Sequence, residues 1–212
     1  MFIPGLYKNE NVEEVRTFLK ENGFGILIGQ VDGKISGAHI PMVLDKNENG
    51  EDVLVGHLAK ANPQTKSIKD NQEVLTIFNG PHSYISSSWY QKENVPTWNY
   101  VAVHVYGTIK VIEGEALFES LKKLVHKYEQ HSENPISVEK MSSKTLRQIH
   151  GIIGFSIKVH EIQAAYKLSQ NRDTRDYNAI IHELEKVGDP NSLGIAAAMK
   201  KSRSYWPTTA NG

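Results

Sequence analysis

The chain has 212 residues, 39% hydrophobic and 23% charged, with Lys plus Arg and Asp plus Glu at 24 each. That is the make-up of one large folded domain, or one domain with an extension, and not of a disordered chain. The charge balance gives no global attraction to nucleic acid or an anionic membrane, and the absence of cysteine excludes disulfides, thiolate metal sites and thiol catalysis.

The first residues, MFIPGLYKNENVEE, show no basic region followed by an apolar run. No stretch approaches the roughly 18 apolar residues of a membrane span. A soluble, cytoplasmic protein is expected, with no membrane partner. Asn11 can cap a helix over VEEVRTFLKEN, with Glu14 at the capping-box spacing and Gly23 as its stop. FGILIGQV and ISGAHIPMVL, joined by Asp32-Gly33, read as a hairpin, and VLVGHLA extends it to a three-stranded meander. ANPQTKSIKDNQ is a short helix or turn. EVLTIFNG is a strand ending at Gly80-Pro81, and YIS after it is extended.

NYVAVHVYGTIKVIEG is the longest strand signal, with Val101, Val103 and Val105 alternating against Ala102, His104 and Tyr106. EALFESLKKLVHKYEQ repeats Phe118, Leu121, Val125 and Tyr128 at helical spacing. SSKTLRQIHG is a short helix and GFSIKVHEIQAAYKLS a last long strand. RDTRDYNAIIHELEKVG is a helix with Tyr177, Ile180, Ile181, Leu184 and Val187 on one stripe; Asp189-Pro190 opens a shorter helix, NSLGIAAAMKK. Six or seven strands with few helices point to a mainly β fold with flanking helices, a small barrel with a helical C-terminal extension.

Three stretches could carry chemistry. GPHSYISSSWY (80–90) and VPTWNY (95–100) gather Tyr84, Trp89, Trp98 and Tyr100 with Ser86, Ser88 and Asn99. They read either as aromatic walls and polar contacts of a pocket for a flat ligand or as barrel core with a Ser-rich turn. HLAKANPQ (57–64) places His57 and Lys60 where a helix start could meet a phosphate, or is a solvated turn at Asn62-Pro63. YKLSQNR (166–172) crowds Lys167, Gln170, Asn171 and Arg172 at the junction with the tail; Arg172 suits a phosphate or carboxylate, or the stretch is a helix-capping junction and dimer contact. Phosphate loops, nucleophile elbows and HExxH motifs are missing, and the nine histidines are scattered. No catalytic or metal-ligating residue is assigned.

In this order the three stretches resemble the PaiB family of FMN-binding negative transcriptional regulators, over nearly the whole chain. The resemblance implies a split β-barrel over residues 1–170 with a helical extension over 171–212, and a homodimer with FMN at or near its seam. It puts His57, Lys60 and Asn62 near the flavin phosphate or ribityl chain, Ser86, Ser88, Trp89, Trp98 and Asn99 near the crevice, and Lys167, Gln170 and Arg172 near the dimer seam. It departs at Ser87, where the family commonly has proline; losing that φ restraint should loosen the turn. Control of protease and sporulation genes is implied. DNA contact through a local basic patch is expected, from the tail helices read as a helix-turn-helix mimic or from KKSRSYWP (200–207). A flavin-dependent oxidoreductase is the alternative, and a haem-binding barrel using His82 or His104 the third reading.

Overall fold

Strand periodicity sets the architecture. In the computed structural model, which describes residues 1–69 and 71–203 and only the backbone of Ser67, six strands form: β1 (Phe24–Val31), β2 (Lys34–Lys46), β3 (Asp52–Ala59), β4 (Gln72–Ile85), β5 (Thr97–Ile112) and β6 (Ile152–Lys167). They close into a barrel in the order β1-β2-β3-β6-β5-β4. Closure pairs strands that would otherwise present open edges. β1 and β2 pair antiparallel from Phe24 opposite Pro41 to Val31 opposite Lys34. Asp32 and Gly33 both take positive φ, 51° and 78°, as the tight hairpin requires. β3 pairs antiparallel with β2 and then with β6, so the expected meander is present.

The chain forms two compact units, and β4, β5 and β6 are divided between them. One unit holds residues 12–78 and 103–162. Its core is Leu27, Met42, Leu54, Phe78, Val103, Val105, Ile109, Phe155 and Ile157. Helix α1 (Val12–Glu21) lies on β2, and α2 (Gly114–Glu129) lies on β2 and β3. The α2 face differs from expectation. Leu117, Ser120 and Leu124 are its buried residues, whereas Tyr128 is exposed. A one-residue shift turns a helical stripe by about 100°, and the small Ser120 lets the backbone approach the sheet where apolarity alone favoured its neighbours. The short α3 (Ser143–Leu146) is capped by the Ser142 hydroxyl, which accepts from the Thr145 amide.

The other unit holds residues 1–11, 79–102 and the described residues from Gln163 on. Here β4 does not stop at Gly80-Pro81 but continues to Ile85. The fixed φ of proline is compatible with extended backbone, so Pro81 removes one donor without ending the strand. Helices α4 (Thr174–Val187) and α5 (Pro190–Arg203) are joined by Gly188 and Asp189, with Gly188 at φ 75° closing α4. Tyr177, Ile180, Ile181 and Leu184 of α4 are buried, as are Ile195, Ala196 and Met199 of α5, while Val187 of the expected stripe is exposed. The Tyr177 hydroxyl donates to the Met199 carbonyl at 2.8 Å, and burial pushes its pKa up to about 12. Gly194 lets α5 approach β4: a Cβ there would stand 2.7 Å from the Pro81 Cβ. Of KKSRSYWP, residues 204–207 lie outside the described residues.

A close barrel approach occurs at Gly107 on β5, where a Cβ would fall 2.2 Å from the Lys158 carbonyl oxygen on β6. Backbone cannot yield there without parting two strands. Gly107→Ala should therefore lower stability by about 2–3 kcal/mol, the usual cost of overpacking, read as a drop in the urea midpoint with an unchanged slope.

Candidate functional site

The aromatic stretch forms an exposed platform. Strand alternation puts His82 and Tyr84 of β4 on the exposed side, while Ile85 is fully buried. On β5, Trp98 is 53% exposed although it is the largest side chain of the stretch. Its ring centroid lies 5.9 Å from that of Tyr84 at 69°, and 6.3 Å from that of His82 at 36°. Three rings meeting in solvent is unusual, because each forgoes burial that would stabilise the fold by a few kcal/mol. After Ile85 the chain makes a 3-10 turn over Ser87–Trp89. The Ser86 hydroxyl accepts from the Ser88 amide at 3.2 Å and lies 2.8 Å from the Ser88 hydroxyl. The turn at Ser87 is thus capped by a side chain, and Trp89 is half-buried.

Asn99 faces the opposite way. It has the same parity on β5 as Val101, Val103 and Val105 and is completely buried. Its amide nitrogen lies 2.9 Å from the Ser169 hydroxyl, and that hydroxyl lies 3.1 Å from the amide oxygen. The Met199 sulfur is 3.6 Å from the same nitrogen. Ser169 adopts φ 61°, a left-handed conformation that costs a non-glycine residue about 1–2 kcal/mol. Gln170 braces the turn: its side chain accepts from the Leu168 amide at 2.7 Å and donates to the Tyr166 carbonyl at 2.5 Å.

This turn presents two cations. The Lys167 ammonium donates to the Thr97 hydroxyl at 2.5 Å and lies 5.9 Å from the Tyr7 ring centre. The Arg172 guanidinium lies 4.2 Å from the centre of the Tyr90 ring. Neither side chain forms an ion pair among the described residues. Burial, and after it the charge of Arg172, pulls the Lys167 ammonium below its ordinary pKa. Asp173 caps α4 by accepting from the Asp176 amide, and the buried Asp176 accepts from the Gln91 amide at 3.0 Å. The start of α4 is thereby tied to the segment after Tyr90.

His57, Lys60 and Asn62 fall in the unit of residues 12–78 and 103–162. His57 stands on β3 opposite Gly154, and burial lowers its pKa, so the imidazole is neutral at pH 7. Lys60 is exposed. Asn62 caps the 3-10 helix Pro63–Ser67, its carbonyl accepting from the Gln64 amide at 2.9 Å. The sequence reading did not assign Tyr7, Tyr90, Thr97 or Ser169. Thr97 and Asn99 share parity with the buried valines, so the pattern contained a signal for both. Tyr7 had none, being 160 residues from Lys167.

Asn99→Leu should cost about 2–3 kcal/mol, since it leaves a buried Ser169 hydroxyl without its amide partner, and thermal unfolding reads it. Burial also lowers the pKa of His104. Below roughly pH 6.5 the unfolded chain takes protons on both histidines that the folded chain resists. Stability should fall as pH drops from 7 to 5, and His57→Gln should flatten that fall; equal slopes in denaturant titrations would refute it.

Over residues 1–161 the sequence matches the family described as "Putative FMN-binding domain". It is 44% identical, over 94% of this chain and 97% of the relative, to "Protease synthase and sporulation protein PAI 2" of Bacillus subtilis (strain 168). The fold is similar to that of an FAD and haem binding protein from Mycobacterium smegmatis, with TM-score 0.62 and 12% identity over 82% of this chain and 79% of that one. It is also similar to that of the flavocytochrome Anf3 from Azotobacter vinelandii, with TM-score 0.61 and 16% identity over 81% and 75%. At such identities these structures speak for the fold alone. The residues present suit a flavin, because an exposed ring platform and unpaired cations match a flat heterocycle and a phosphate. The chain belongs to the PaiB family of FMN-binding domains, a split barrel whose cofactor is FMN.

Proposed function

We propose that the protein is an FMN-binding negative regulator of transcription, acting as a homodimer on protease and sporulation genes, the processes for which its Bacillus relative is named. Trp98 carries the flavin part of this reading. A tryptophan 53% exposed beside Tyr84 and His82 offers the isoalloxazine a stacking surface and suits a seam between two copies. In the same unit as Trp98, Lys167 and Arg172 are cations that can meet the phosphate. When bound, FMN supplies electron and hydride chemistry; the chain's own residues bind and orient it.

The DNA part rests on the tail. Lys200 pairs with Glu185, and Arg203 donates to the Asn178 carbonyl at 2.6 Å and stacks on Tyr177. The Lys200 pair is exposed, and such a pair is worth at most about 1 kcal/mol, so a phosphate can replace the carboxylate at little cost. No helix of the described residues is long and apolar enough to cross a membrane.

The deciding experiment combines the visible spectrum after FMN addition, the mass in solution, and binding of an upstream DNA fragment over a salt series. A bound-flavin spectrum on a dimer is expected, with FMN affinity weakened roughly tenfold by Trp98→Ala and DNA affinity falling steeply with salt. A protein that ignores FMN overturns the flavin reading. A flat salt response overturns direct DNA contact. Anaerobic reduction of the bound flavin by NADH faster than free FMN would favour an oxidoreductase instead.

A further inference from the structure

Lys167 and Arg172 stand out among the charged groups. Among the described residues, most other cations with a side-chain partner meet a carboxylate: Arg16 and Lys46 share Asp52, Lys123 meets Asp45, Lys158 meets Glu51. Lys167 and Arg172 instead rest on aromatic rings, Tyr7 and Tyr90. Both are half-buried, and they feel each other's charge. Folding two like charges together without an acid is unfavourable unless something else uses them. Asp173 and Asp176, the nearest acids in sequence to Arg172, accept from the backbone amides of Asp176 and Gln91 respectively.

A second observation points the same way. Tyr90 is nearly buried, its ring stacks on Arg172, and its hydroxyl has no hydrogen-bond partner among the described residues. A buried hydroxyl left unmatched costs about 1–3 kcal/mol. Among the described residues, therefore, an orphan hydroxyl lies beside a guanidinium whose donors have no partner, and the same turn carries an ammonium with one hydrogen bond. The guanidinium lies 4.2 Å from the ring centre, and the Arg172 amide donates to the Ser169 carbonyl at 3.0 Å, which ties the residue to the braced turn. Such an arrangement is organised in advance for an oxyanion, since a planar fork matches two oxygens of a phosphate or carboxylate.

We propose that Lys167 and Arg172, with Tyr90, form an oxyanion subsite taking a phosphate monoester or a carboxylate. The oxyanion is either the flavin's own 5′-phosphate, which rests on the flavin reading above, or the acidic group of a separate small molecule, which does not.

The test uses the full chain with inorganic phosphate, FMN and riboflavin as probes. At constant ionic strength, phosphate should raise the melting temperature of the wild type and of Arg175→Gln, a charge control three residues away. It should not raise that of Arg172→Gln or Lys167→Gln; if one of these fails to fold, the other is read. Should the preference for FMN over riboflavin also fall about tenfold in these variants, with riboflavin affinity unchanged, the oxyanion is the flavin phosphate. Should that preference stay while the phosphate effect is lost, a separate acid is the ligand. A wild type that binds neither flavin but still responds to phosphate removes the flavin reading and keeps the subsite. Equal phosphate responses in wild type and both variants, with equal flavin preference, overturn the proposal.

Discussion

The paired Asn99 and Ser169 fix the turn after β6 in the unit that carries the tail. Asn99 is a polar residue at the end of an apolar inward series on β5, and Ser169 is a left-handed residue at the end of β6. Each is unfavourable alone: a buried amide without partners, and backbone in a strained region. Together they are stable, because the hydroxyl meets both amide atoms and the amide fixes the turn. That turn directs the chain from the last strand into α4. Lys167 and Arg172 flank it and owe their positions to it.

The same unit shows how polar side chains replace missing backbone partners. Gln170 serves two backbone groups of its own turn. Asp173 and Asp176 serve amides at the start of α4 and after Tyr90. With these groups engaged structurally, the side chains left for a ligand narrow to cations and rings. The motif YKLSQNR thus divides its labour: Ser169 and Gln170 build the turn, and Lys167 and Arg172 flank it. The Ser-rich motif divides likewise, with Ser86 and Ser88 shaping the 3-10 turn and Trp98 and Tyr84 forming the exposed surface.

The sequence by itself determined the architecture, because its signals are local. Alternation along β5, the Asp32-Gly33 turn and Gly188 each act within a few residues and are present in the structure, and the α4 stripe holds from Tyr177 to Leu184 while Val187 is exposed. The motifs, taken in order, also carried the family. Where local signals competed, the reading slipped: Pro81 looked like a stop but sits inside β4, and the α2 stripe was displaced by one position, since helical period does not say which of two adjacent stripes fits a sheet. What only the tertiary structure decided is which motif residues are consumed internally and which are left over. Asn99, Asn62 and Gln170 look on paper like ligand contacts as good as Arg172. Their partners, Ser169, Gln64 and Tyr166, can be identified only once the chain is folded, as can Tyr7 beside Lys167. Hydrogen bonds and ring contacts depend on distances of a few ångströms between residues far apart in the chain, as Asn99 is from Ser169 and Tyr7 from Lys167, and linear spacing does not encode such distances.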